Sequence, residues 1–128
     1  MATWDDVSRI AAKLPETTEV GEDLLAWKVR TKTYAWDRPL RKSDLAALGD
    51  AAPDGPILGV RVADLAAKQS LLAEDEAVYF TTPHFNGYPA VLVRLADIGV
   101  DQLADLLEEA WLVQAPKRLA AQYLADRG

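Results

Sequence analysis

The 128-residue sequence predicts an α+β fold, an antiparallel sheet of about five strands covered by helices, and three observations carry that prediction. Asn86-Gly87, a dipeptide suited to positive φ in tight turns, lies between two apolar runs in Thr81 to Leu95 and its surroundings. Leu25, Trp27 and Val29 alternate with Ala26, Lys28 and Arg30, the period of a strand with one buried face, and a second strand follows at once. Both ends of the chain repeat apolar residues at helical spacing.

The elements follow in order. Thr3, three residues before Asp6, reads as an N-cap, and Val7, Ile10, Ala11 and Leu14 predict a first helix from about Trp4 to Lys13 that Pro15 stops. Glu16 to Asp23 is an acidic connector or a first edge strand. With Thr31 and Lys32 in the turn, Trp27 falls opposite Trp36 and Val29 opposite Tyr34, an aromatic cross-strand ladder with Lys28 and Arg30 on the outer face. Pro39 ends this hairpin. Ser43 as N-cap starts a short helix through Leu48 that Gly49 closes, and Asp50 to Pro56 is a loop by composition. Ile57 to Val62 is a strand with Leu58, Val60 and Val62 on one side, and Asp64 caps a helix to about Ala73. An Asn86-Gly87 turn then sets Phe80 opposite Val93, Val78 opposite Leu95 and Tyr79 opposite Arg94, giving one apolar and one mixed face. Asp101 caps a helix whose stripe is Leu103, Leu106, Leu107, Ala110 and Trp111, and Pro116 opens a last helix with Leu119, Ala120, Tyr123 and Leu124 inside.

No repeat, low-complexity tract or linker divides the chain, so residues 1–128 read as one two-layer domain, large enough to bury about two-thirds of its unfolded surface. Cysteine is absent, which excludes disulfides, thiolate metal sites and a cysteine nucleophile. The N-terminus lacks a basic run ahead of an apolar core, and no apolar stretch approaches the roughly 18 residues a bilayer span requires. The expectation is a cytoplasmic monomer that makes no use of a membrane.

The net charge of −6 argues against a whole-surface nucleic-acid binder, but the charge is segregated. Lys28, Arg30, Lys32, Arg38, Arg41 and Lys42 face only Asp37 in their window, which carries +5 and leaves −11 for the rest. A basic β-ribbon of this kind can neutralise phosphates, so these six are the candidate DNA contacts; their other role is to solubilise an exposed strand. The second candidate site is the loop and hairpin over 81–94. His84 between two prolines, with Thr82, Asn86, Tyr88 and Arg94, has the groups to hold a small anionic ligand or a protein partner. Glu16, Glu19, Glu22 and Asp23 form a solvated acidic surface rather than a cation site. No nucleophile elbow, His-Glu-x-x-His, phosphate-binding glycine loop or dinucleotide fingerprint occurs, so the expectation is a non-enzymatic module without metal or cofactor.

Five segments together resemble the MmcQ/YjbR family. They are Thr3-Trp4-Asp5-Asp6-Val7 with Ala11, Lys32-Thr33-Tyr34-Ala35-Trp36, Leu58-Gly59-Val60-Arg61-Val62, Gly87 to Leu95, and Glu109-Ala110-Trp111 with Ala115-Pro116-Lys117. They occur in order over nearly the whole chain. The resemblance implies a CyaY-like, frataxin-like double-wing fold in which two hairpins project from the sheet and helix core, and it implies the family's label of DNA-binding protein. It also implies a Gly-Lys pair at the first hairpin turn, where this chain carries Thr31 instead.

Overall fold

The computed structural model describes residues 2–53 and 55–127. Among them run six antiparallel strands, β1 (Thr17–Val20), β2 (Ala26–Val29), β3 (Lys32–Asp37), β4 (Ile57–Arg61), β5 (Tyr79–Phe80) and β6 (Ala90–Arg94). They form one sheet in the order β1-β2-β3-β4-β6-β5. The α-helices are α1 (Trp4–Ala12), α2 (Lys42–Leu48), α3 (Leu65–Glu74), α4 (Val100–Gln114) and α5 (Lys117–Arg127). This is the expected α+β class. The sixth strand is β1, paired along β2, so the acidic segment after Pro15 is an edge strand rather than a connector.

Helix α1 begins as its residues dictate: the Asp6 carboxylate accepts from the Thr3 backbone N–H at 2.9 Å while the Thr3 hydroxyl accepts from Asp6 N at 3.3 Å. Val7, Ile10 and Leu14 meet Leu103, Leu107 and Trp111 of α4, and together they cover the face of the sheet that carries Trp27, Val29, Tyr34, Leu58, Val60, Val91 and Val93. The opposite face is also closed. Ile57, Phe80, Ala90 and Leu92 are buried there under Phe85, with Trp36, Leu40 and Leu48 packed around them. Central strands covered on both faces read as continuous apolar runs, which is what Ile57 to Val60 and Ala90 to Val93 are.

Both hairpins differ in register from the sequence expectation. Val29 pairs with Lys32, so Arg30-Thr31 is the first turn, and Arg30 adopts the left-handed φ of 56°. The pairing then shifts between Trp27 and Lys28, leaving Tyr34 as an extra residue, so Trp27 faces Ala35 and Trp36 faces Ala26. The bulge has a packing reason. It keeps Tyr34 and Ala35 on the helix side and turns Trp36 to the other face, where its ring lies across Gly59; a Cβ at Gly59 would sit 2.4 Å from Trp36 Cε2. In the second hairpin Tyr79 pairs with Val93 and Phe80 with Leu92. Asn86-Gly87 is not a two-residue hairpin turn but a type II turn, with Asn86 at φ −59° and ψ 128°, Gly87 at φ 76°, and Tyr88 N bonded to Phe85 O at 3.1 Å. The chain between β5 and β6 is diverted because Phe85 must reach the second core.

Two helix starts also move. Arg41, not Ser43, caps α2, because the Asp44 carboxylate accepts the Arg41 backbone N–H at 2.9 Å, and Gly99 rather than Asp101 caps α4.

Gly59→Ala is expected to cost about 1–3 kcal/mol, because Trp36 must leave its position over β4, and urea denaturation measures it. Tyr34 gives a pH signature. Burial raises its hydroxyl pKa from 10.0 to about 12, the Thr17 hydroxyl at 3.1 Å opposing only in part. The unfolded chain therefore loses this proton first, and stability present below pH 10 falls as pH rises towards about 12. In Tyr34→Phe that alkaline loss of roughly 2–3 kcal/mol should vanish from the denaturation curve.

Candidate functional site

The six candidate DNA contacts do not form one patch. Arg38 is buried, donating to Asp44 Oδ2 at 3.0 Å and to the Pro39 carbonyl, with its guanidinium 5.3 Å from the Phe85 ring centroid. That removes it from the surface: its charge neutralises Asp44 inside the second core. Burial alone would raise the Asp44 pKa, but the Arg41 N–H and the Arg38 guanidinium outweigh it, and the carboxyl titrates below its ordinary value. Arg30 is exposed yet held by Glu16 through bonds of 2.9 and 3.3 Å. Lys28 and Lys32 lie near the hairpin tip, while Arg41 and Lys42 start α2 beyond the other end of β3, roughly 20 Å away along the strand.

The second candidate set is divided too. His84 and Asn86 are exposed on the loop, His84 meeting Phe85 edge-on at 5.0 Å, and Thr82 is buried beside Asp44. Arg94 lies at the far end of β6 from that loop, paired with Ile57, its guanidinium 4.5 Å over Phe80 and bonded to Glu76 O at 3.0 Å. The anion pocket that would join His84 to Arg94 is therefore not assembled. Tyr88 has a different arginine: Arg61 Nη1 donates to its hydroxyl at 3.2 Å, and the guanidinium lies over its ring at 5.1 Å.

What brings chemistry together is a cleft of about 390 Å³ between α3 and α4, at the end of the sheet marked by Arg61 and Tyr79. Val62, Leu71 and Leu106 give it an apolar floor. The Tyr79 hydroxyl accepts a bond from Gln102 Nε2 at 3.0 Å, and Arg61 contributes a buried Nε with no partner among the described residues. Exposed Glu74, Asp105 and Glu109 stand at the rim. Burial raises the Tyr79 pKa; the bond from Gln102 opposes this, and the negative charges of Glu74 and Asp75 add to it. The hydroxyl therefore stays protonated, free to donate to a ligand while it accepts from Gln102.

Helix α3, one wall of this cleft, is anchored in an uncommon way. Its buried residue is Lys68, whose Nζ donates to Phe85 O at 2.6 Å and Tyr88 O at 3.0 Å. Burial without a carboxylate partner lowers the amine's pKa. One side chain thus ties the cleft wall to the His84 loop. Sequence reasoning missed it because a lysine inside an alanine-rich helix looks like any solvated lysine. The cleft itself joins residues from β4, α3, β5 and α4, so no local motif announces it.

Among the described residues no three His, Asp or Glu side chains gather as a metal site, and no helix is long and apolar enough to cross a membrane.

The chain belongs to the YjbR family, whose model matches residues 12–113. It is 56% identical over 131 residues to the uncharacterized protein Rv2570 of Mycobacterium tuberculosis and, equally, to the uncharacterized protein Mb2600 of Mycobacterium bovis, the similarity covering the whole of this chain and of each relative. The crystal structure of Deinococcus radiodurans protein DR2400, a DUF419 domain, superposes with a TM-score of 0.65 at 21% identity, covering 88% of this chain and 78% of that one, which shows the shared fold.

Lys68→Met should test the anchor. Hydrogen exchange at the Asn86 and Tyr88 amides, which close the loop's turns, should accelerate roughly 10- to 100-fold, because the two carbonyls lose the Lys68 ammonium that holds them beside their backbone donors, while exchange in β6 beyond Ala90 stays unchanged.

Proposed function

We propose that this member of the YjbR family is a non-enzymatic binding domain that takes a small organic ligand in the cleft between α3 and α4. The observation that carries the reading is the pairing of an apolar floor with a few polar groups: the Tyr79 hydroxyl, which keeps its own proton to donate, and the Arg61 side chain at the edge. Such a mixture of broad apolar contact and a few directional groups is what ligand sites share. Three rim carboxylates against one guanidinium disfavour phosphates and nucleotides, so neutral or cationic ligands suit it better.

Binding of duplex DNA by the Lys28 to Lys42 segment is the rival reading, and the geometry supports it less. With Arg38 buried and Arg30 engaged by Glu16, four cations are left to meet phosphates, and they stand in two pairs at opposite ends of β3. Four contacts imply a slope of log K against log salt of about −3.6 and weak affinity at physiological ionic strength.

A fragment screen followed by ¹H–¹⁵N spectra should show saturable shifts at Tyr79, Gln102 and Leu106. Ser70→Trp, placed at an exposed position on the cleft wall, should abolish them without unfolding the protein. In fluorescence anisotropy at physiological salt, a mixed pool of duplexes should give no saturation below about 10 μM. Saturable submicromolar binding, with a salt slope flattened by Lys28→Ser and Lys32→Ser, would replace the ligand reading with the DNA one.

A further inference from the structure

We infer that a second cavity, where β3 leaves the sheet, is a site for a small organic cation whose ammonium group pairs with Asp37. The cavity holds about 300 Å³ and is walled by Trp4 of α1, by Pro39, Leu40 and Leu45 around the start of α2, and by Ile57 of β4. Asp37 is its one charged lining residue among those described, and no residue is shared with the α3–α4 cleft.

The state of Asp37 points to the ligand's charge. Its backbone N–H is satisfied by Leu25 O at 2.8 Å, but its carboxylate has no hydrogen bond or ion pair among the described residues. Asp44, seven positions on, is the contrast, since it takes both the Arg38 guanidinium and the Arg41 N–H. Half-burial in apolar surroundings raises the Asp37 pKa, the mark of a carboxylate that has lost water without gaining a cation. An anion in this cavity would meet repulsion, and a neutral occupant would strip the remaining water from an unpaired charge. A cation does neither.

Shape and lining narrow the class further. A volume of about 300 Å³ is at the small end of ligand cavities, suited to a compact molecule rather than a protein segment. Trp4, stacked on Trp27 at 6.1 Å, supplies an aromatic wall near the carboxylate, a combination that favours ammonium groups. Leu45, 47% exposed, offers apolar surface at the mouth for the body of the molecule. The fitting class is a primary or methylated ammonium carried on a small apolar group.

The test compares three molecules of one shape, phenethylammonium, 2-phenylethanol and phenylacetate, titrated into the full chain and followed by ¹H–¹⁵N spectra. Phenethylammonium should move the Trp4 indole and Leu45 amide signals to saturation, with the alcohol at least about tenfold weaker and the acid without effect. Asp37→Asn should lose the same factor while its Tm stays at or above that of the parent, because an unpaired, partly desolvated charge has been removed. Leu45→Arg, at an exposed position, brings a guanidinium beside Asp37 and should weaken binding as well. Equal affinity for amine and alcohol, no saturable shift with the amine, or undiminished binding in either variant would overturn the inference.

Discussion

Burial of β4 and β6 on both faces is the constraint from which most of this structure follows. Helices α1 and α4 can cover one face with regular apolar stripes, but no comparable helix remains for the other. The cover there comes from α2 and from the chain between β5 and β6, so Phe85 is delivered by an irregular segment. Irregular backbone brings carbonyls into the interior outside the sheet ladder, and a carbonyl has room for a second donor beside a backbone N–H. Two cations use such carbonyls as anchor points. Arg38 joins the end of β3 to α2 through Asp44 and the Pro39 carbonyl, and Lys68 joins α3 to the loop through Phe85 O and Tyr88 O.

Their magnitudes set them apart from the surface charge. The Arg30–Glu16 pair is exposed on both sides, and solvent and salt screen pairs of that kind until little of their attraction reaches stability. Arg38 and Asp44 are buried, and although such a pair competes poorly with an apolar substitute, removing one partner alone costs about 3–5 kcal/mol. The pair therefore fixes where α2 docks more than it raises total stability. That explains why a residue counted in sequence as one of six basic contacts is a component of the core.

The legible parts of the fold were those governed by local chemistry. The Thr3–Asp6 cap, the α4 stripe from Leu103 to Trp111, and the strand periods of β2 and β4 each depend on residues within one element, and the structure has them where the spacing puts them. The hairpin registers were less legible because distant packing decides them. Thr31-Lys32 gave no turn signal, and the shift that frees Tyr34 serves a second core that alternation alone does not reveal. Asn86-Gly87 did supply its positive φ, at Gly87, but in a type II turn set by the descent of Phe85. A clue to the second core was present in the unbroken runs Ile57 to Val60 and Ala90 to Val93, which a one-sided sheet would have interrupted with polar residues. The cleft between α3 and α4 had no such clue, since its polar groups come from four elements.

The same constraint bears on the cleft's mechanics. Helix α3 packs Ala67, Leu71 and Leu72 only partly against the core, exposes Leu65, and has a lysine as its buried residue, so two directional bonds supplement a modest apolar contact. Elements held this way lie at the low-stability end of a fold, where small displacements are cheap. Lys68 Nζ is bonded to both sides of the Asn86-Gly87 turn, so a displacement of α3 that widens or narrows the cleft must pull on the loop that carries His84 and Tyr88. Tyr88 is in turn bonded to Arg61, a cleft residue. Loop and cleft are thus joined at two points, through Lys68 and through Arg61, although no residue of the loop lines the cleft itself.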